Sequence, residues 1–186
     1  LFAESLADLR PWDLWTPDGQ PQPGTEELIV TLDQVIALQP AHPLANHLYI
    51  HAVEASPEPG RADAAADRLR ELQPGLGHMV HMPSHIDVRR GRWQQAIEAN
   101  ARAIEADRRY TERSPEQQFY RLYMAHNHHM LAYAAMMNGQ SALALDTMRT
   151  MAAAIPPAFL QANPWADGFI AMPLEVLMRF GRFSSI

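Results

Sequence analysis

Histidines recur in this sequence three and four residues apart, a spacing that places side chains on one face of a helix. Seven of them fall into three segments: His47 and His51; His78, His81 and His85; His126 and His129. Two imidazoles one helical turn apart can bind the same metal ion. If the three segments are neighbouring helices, their histidines meet, and the sequence therefore predicts a histidine-lined metal site with His81 at its centre.

The ligand set limits which metal such a site would prefer. Glu54 follows His51 by about one turn, so it is a candidate oxygen ligand, or the general base for a metal-bound water. Imidazole with carboxylate suits zinc, copper(II), nickel or iron(II). The chain has no cysteine, which excludes thiolate sites. Seven histidines exceed the needs of one tetrahedral ion, so either two ions bind or some histidines orient ligands and contact substrate.

Two metal-free interpretations remain open at this stage. The histidines could simply line the groove of a peptide-binding scaffold, hydrogen-bonded to neighbouring groups. They could also bind an acidic or phosphorylated ligand with help from Arg89, Arg121 or Tyr123, although neutral imidazoles bind anions weakly near pH 7. Ser84 precedes His85, but no serine elbow or glycine-rich phosphate loop accompanies it.

The composition excludes several classes of protein. Hydrophobic residues make up 47% of the 186 residues, enough for a continuous core, and the formal net charge is −6. That charge and the scattered arginines argue against binding to the nucleic-acid backbone. No apolar run approaches the roughly 20 residues of a membrane span, and the first residues lack the pattern of a signal peptide. The compartment stays open.

Apolar residues at helical spacing run through almost the whole chain, so we expect an all-α fold. The predicted helices are 25–39, with Thr25 as its cap, 43–55, 61–73, 77–90, 94–109, 116–138, 141–154 and one within 165–180. Pro83 either bends the fourth of these helices or begins a new one. The proline-rich segment 11–24 is a connector, in which we expect Trp12 and Trp15 to anchor the loop on neighbouring helices. A ligand platform is the alternative role for these two residues.

The turns between predicted helices share a pattern that resembles the middle of tetratricopeptide repeats. Gly91-x-Trp93-x-x-Ala96, Gly139-x-Ser141-x-x-Ala144 and Gly181-x-Phe183 each place a helix-ending glycine before an aromatic or small residue. The distance from Gly91 to Gly139 exceeds the usual repeat, and Ser141 replaces the aromatic. The histidine strings themselves are similar to those of a group of largely uncharacterised bacterial tetratricopeptide-repeat proteins.

This resemblance implies antiparallel helix pairs stacked into an α-α superhelix, with the first helix of each pair lining a concave groove. Residues 1–186 would form one such domain, with a helix end and connector in 1–24 and helix pairs in 25–183. We expect it to be a fragment of a longer protein. Its apolar ends would then be covered by further chain or by a second copy in a homo-oligomer.

The functional hypothesis is a helical-repeat protein whose groove binds a transition metal. Metal-dependent catalysis is one use of such a site. The alternative is a scaffold that binds a peptide or another partner in the groove. A small molecule or peptide is the expected ligand in either case. Neither the reaction nor the metal follows from the sequence.

Overall fold

The computed structural model describes residues 1–116 and 120–183. These residues are helical or irregular, and the only β-type pairing among them is an isolated bridge between Trp15 and Pro21. The prediction of an all-α fold is confirmed. Within the described part of the chain, no helix combines the length and the apolar character that a membrane span requires.

The chain divides into two compact units, Leu1–Arg92 and Trp93–Ile186. In the first unit the helices are α1 (Phe2–Asp8), α2 (Thr25–Leu38), α3 (Pro43–Glu54), α4 (Asp63–Leu72), α5 (Gly77–His81) and α6 (Pro83–Arg89), with a 3₁₀ turn at Pro59–Ala62. In the second unit they are α7 (Trp93–Arg113), α8 (Arg121–Met137), α9 (Ser141–Ala154), α10 (Pro157–Ala162) and α11 (Gly168–Arg179), with a 3₁₀ turn at Pro164–Asp167.

Helix α3 lies at the centre of the first unit, where it packs against α2, α4 and α6. Ile50 and Val53 on its inner face are fully buried, as are Leu69 of α4 and Ile86 of α6. Each such side chain contributes about 1.5–3 kcal/mol through burial of its apolar surface. The core therefore fixes the position and rotation of the helix that carries His47 and His51.

The connector before α2 differs from its prediction at two residues. Trp15 anchors the loop as expected, because its indole N–H donates a 2.8 Å hydrogen bond to the Ala52 carbonyl. Trp12 does not, since 82% of its surface is exposed. Thr25 is not the cap of α2: Gly24 occupies that position, while the Thr25 hydroxyl donates to the Leu14 carbonyl at 2.8 Å. This bond ties the loop to the helix start.

The predicted helix 77–90 is two short helices, so the alternative that Pro83 begins a new helix is confirmed. Helix α5 ends at His81 and α6 starts at Pro83. Met82 between them keeps helical dihedral angles, φ −49° and ψ −39°, so the two axes follow one another. Because proline has no amide N–H, the hydrogen-bond ladder is interrupted there.

A buried ion cluster joins α4 to α6. The Asp87 carboxylate is fully buried and accepts two hydrogen bonds from Arg70, at 2.7 and 2.8 Å. Arg92 approaches it at 2.9 Å and also reaches Asp63 at 3.1 Å. Charged hydrogen bonds of this kind offset the cost of burying Asp87, and they hold α6 in a defined position under α3.

The three glycines of the repeated turn pattern all adopt left-handed backbone angles. Gly91, Gly139 and Gly181 have φ values of 69°, 74° and 66°. After each glycine, the next amide returns to the carbonyl five residues earlier, as in the bond from Arg92 N to Asp87 O at 2.8 Å. This is the Schellman ending of a helix, which glycine favours, so the shared sequence pattern produces the same turn three times.

In the second unit, α8 packs against α7, α9 and α11. A polar network lies inside it, since Asp107 accepts hydrogen bonds from the Tyr120 hydroxyl at 2.9 Å and the Asn127 amide at 2.7 Å. The third histidine helix was predicted to begin at Glu116. Glu116 itself is not helical, residues 117–119 lie outside the described residues, and the helix is present from Arg121 onward.

Candidate metal centre

Three imidazoles from two helices of the first unit form the centre of the candidate site. His47 and His51 lie one turn apart on α3, with ring centroids 4.9 Å apart. His78 on α5 brings its Nε2 to 3.1 Å from the Nε2 of His47. One potential ligand atom of each residue lies within 4.8 Å of the others. We call these three residues the histidine triad.

The spacing within the triad is close to that of ligands around a small ion. With metal–nitrogen distances of about 2.0–2.1 Å, two nitrogens of a tetrahedral zinc site lie about 3.3 Å apart. The 3.1 Å separation of the His47 and His78 nitrogens differs from that by only a few tenths of an ångström. Small rotations of the rings would let both nitrogens face one ion.

Glu54, at the end of α3, connects the triad to a second pair of histidines. Its Oε1 accepts from His51 Nδ1 at 2.8 Å, and its Oε2 accepts from His85 Nδ1 at 2.5 Å. These bonds place the proton of each ring on Nδ1 and leave Nε2 as the acceptor nitrogen. A carboxylate that fixes a histidine in this way is typical of the surroundings of a metal ligand.

His81 lies deeper than its predicted role at the centre of the site requires. Its side chain is fully buried, with Nε2 at 2.8 Å from His85 Nε2 and Nδ1 at 3.3 Å from the Ser84 hydroxyl. His81 is therefore also part of the core, and its replacement is expected to affect folding. Ser84, considered in the sequence only as a nucleophile, instead contacts this ring.

Burial sets the charge state of the site. Removal from water, reinforced by the neighbouring histidines His51 and His78, lowers the pKa of His47 to about 3, and burial likewise lowers that of His78 to about 4. Burial would raise the pKa of Glu54, but the hydrogen bonds from His51 and His85 outweigh it and hold the pKa at about 2. At neutral pH, His47 and His78 are neutral and Glu54 is negative, which favours a cation between them.

The second ring nitrogen of His47 is enclosed by the protein. His47 Nδ1 is buried, and no hydrogen-bond partner for it is found among the described residues. A buried polar atom without a hydrogen bond costs free energy. The nitrogen that faces His78 is Nε2 and not Nδ1, so this cost is present with or without an ion at the triad.

The other two predicted ligands, His126 and His129, lie on α8 of the second unit. Burial lowers the pKa of His129, and also that of His128, whose Nδ1 lies 2.8 Å from the Met124 carbonyl. This contact of His128 lies within α8. That His126 and His129 belong to the same site as the triad stays a prediction.

Comparison with known proteins adds no assignment. No protein-family model matches the chain, and no curated protein shows significant similarity to it.

Proposed function

We propose that the first unit binds one divalent transition metal ion through the histidine triad of His47, His51 and His78. The observation that carries this proposal is the convergence of three imidazoles, two of them neutral by burial, in front of a carboxylate that remains ionised. Three nitrogen ligands leave a fourth position for water or a substrate, the arrangement of catalytic zinc sites. Metal-assisted chemistry is therefore the use that this set of ligands supports.

In this proposal Glu54 is a positioning residue and not the general base. Both of its oxygens already accept hydrogen bonds, and a pKa of about 2 makes it a poor proton acceptor near neutral pH. Its hydrogen bond to Nδ1 keeps the Nε2 of His51 directed at the ion. His85 and His81 extend this hydrogen-bonded chain into the core, which makes the position of Glu54 rigid.

We propose further that the helix pairs are divergent tetratricopeptide-like repeats. The support is the repeated Schellman turn at Gly91, Gly139 and Gly181, which follows the sequence pattern of that family. A peptide-binding scaffold is the common use of such repeats. A cluster of histidines around an ionised carboxylate is not needed for that use, and this is why we place the metal site first.

The proposal is tested by metal analysis of protein purified without an affinity tag or chelator. Stripped protein is then titrated with Zn²⁺ and Co²⁺, since Co²⁺ reports tetrahedral coordination by its visible absorption. We expect one ion per chain, and about 100-fold or more loss of affinity in His47→Gln. His42→Asn is the matched control, because His42 caps α3 through its Nδ1 and asparagine preserves a cap.

Equal Zn²⁺ affinity in His47→Gln and the parent protein would contradict the triad. Absence of any stoichiometric ion, with the helical content intact, would leave the scaffold function in its place.

A further inference from the structure

A cavity of about 250 Å³ lies beside the histidine triad, and His51 and Glu54 form part of its wall. The rest of the wall consists of Trp12, Leu14, Trp15, Ala55 and Arg89. A second space of about 140 Å³ shares Trp12, Leu14 and His51 with it and continues toward Leu48. These volumes are below the roughly 300–1,000 Å³ of ordinary ligand pockets, so they suit a small molecule better than a peptide.

Trp12 has a backbone conformation that is unusual for a residue other than glycine. Its φ is 58°, and it is the only non-glycine residue with positive φ among the described residues. A bulky side chain in this region is strained, and such strain is concentrated at functional sites. Trp12 is also 82% exposed, although it borders both spaces. An exposed aromatic surface that lines a pocket is suited to contact the apolar part of a ligand.

Arg89 supplies the positive charge of this wall. Its side chain is exposed, and no ion pair of its guanidinium is found within the described ranges, whereas Arg90 and Arg92 both pair with Asp63. An arginine that is not neutralised, facing a small pocket, is the group that binds a carboxylate through two parallel hydrogen bonds. Trp15, another residue of the wall, is fixed by its bond to the Ala52 carbonyl.

We propose that this cavity binds a small organic acid, with its carboxylate on Arg89 and its apolar body against Trp12 and Leu14. The inference deepens the proposed function and rests on it, because His51 belongs both to the triad and to the cavity wall. A bound acid is then placed next to the metal. The cation also offsets the negative charge of Glu54, so the acid binds more tightly to the metal-loaded protein.

The test measures binding of phenylacetate to the full chain by calorimetry, with phenylacetamide as the uncharged probe of the same shape. We expect phenylacetate to bind the Zn²⁺-loaded protein, and phenylacetamide to bind at least about tenfold more weakly, a difference of about 1.4 kcal/mol. Arg89→Gln should weaken the binding of phenylacetate by a similar factor. Arg68→Gln, an exposed arginine on α4, is the control and should bind as the parent does.

A second variant separates binding from folding. Trp12→Gly suits the left-handed backbone, so it should raise the melting temperature slightly while weakening phenylacetate several-fold. Equal phenylacetate affinity in Arg89→Gln, Trp12→Gly and the parent overturns the inference.

The failure of the two proposals can be told apart. If Zn²⁺ binds the triad but phenylacetate does not bind the loaded protein, the acid site is wrong and the metal site stands. If no metal binds but phenylacetate binds in an Arg89-dependent manner, the metal site is wrong and the acid site stands.

Discussion

Glu54 connects the histidine triad to His85. It stands on α3 with His51, and it reaches His85 on α6 across the helix contact. Glutamine has the same shape as glutamate, but it has no negative charge and only one acceptor oxygen in place of two. The ligands themselves would remain.

We therefore expect Glu54→Gln to weaken Zn²⁺ binding by about 10–100-fold while one ion still binds at saturation. Competition with a coloured chelator measures the affinity, and metal analysis measures the stoichiometry. Glu58→Gln, which changes an exposed carboxylate just after α3, serves as the control. Complete loss of the ion from Glu54→Gln would instead show that the carboxylate is a direct ligand.

The low pKa values of His47 and His78 have a consequence for the metal-free protein. Below about pH 6.5 the unfolded chain takes up protons that these rings, with pKa values of about 3 and 4, do not take up in the folded state. The free energy of unfolding should therefore fall as the pH drops from about 6.5 toward 4, by on the order of 1 kcal/mol per pH unit for each ring.

Urea unfolding in the presence of a chelator, at several pH values between about 7 and 5, measures this slope. His47→Gln should make it shallower. A stability that does not change over this range would show that water reaches the rings freely.

At the scale of elements, the glycine turns are the feature that the sequence predicted best. A glycine at the end of a helix, followed by an aromatic or small residue, specifies a local geometry, and local rules suffice for it. The helical fold and the one-turn spacing of His47 and His51 were predictable for the same reason. The bond between Glu54 and His85 was not, because it depends on how α3 and α6 pack and on the interruption at Pro83.

Gly91→Ala tests the turn directly. With φ at 69° and no atom near enough to obstruct a methyl group, the cost of the change is conformational alone, about 1–2 kcal/mol of stability. Chemical denaturation measures it. Gly75→Ala is the matched control, since Gly75 also has open space around it but no positive φ, and it should be neutral or slightly stabilising. Equal effects of the two changes would contradict the strained turn.

At the scale of the whole molecule, the division into two units limits what a ligand of the first can stabilise. All three triad residues belong to Leu1–Arg92, and an ion that binds only the folded state stabilises the part that it holds together. At a free Zn²⁺ concentration 100 times the dissociation constant, this amounts to about 2.7 kcal/mol.

Hydrogen exchange followed by mass spectrometry shows which segments of the chain become more stable when Zn²⁺ binds. Zn²⁺ should slow exchange in peptides from α3, α5 and α6, while peptides from α9 and α11 exchange as before. Uniform protection of both units would indicate that His126 or His129 also takes part, as the sequence first suggested.

The break at Pro83 also bears on how fast an ion leaves. Helix α5 has only five residues, too few to persist by its own hydrogen bonds, and it is joined to α6 without a continuous ladder. Short segments of this kind are among the parts of a protein that open at the lowest cost. Since α5 carries His78, each opening removes one ligand from the ion. The rate of metal release would then depend on how often this single helical turn opens. A substitution that stabilises the closed turn would slow metal release without adding a ligand.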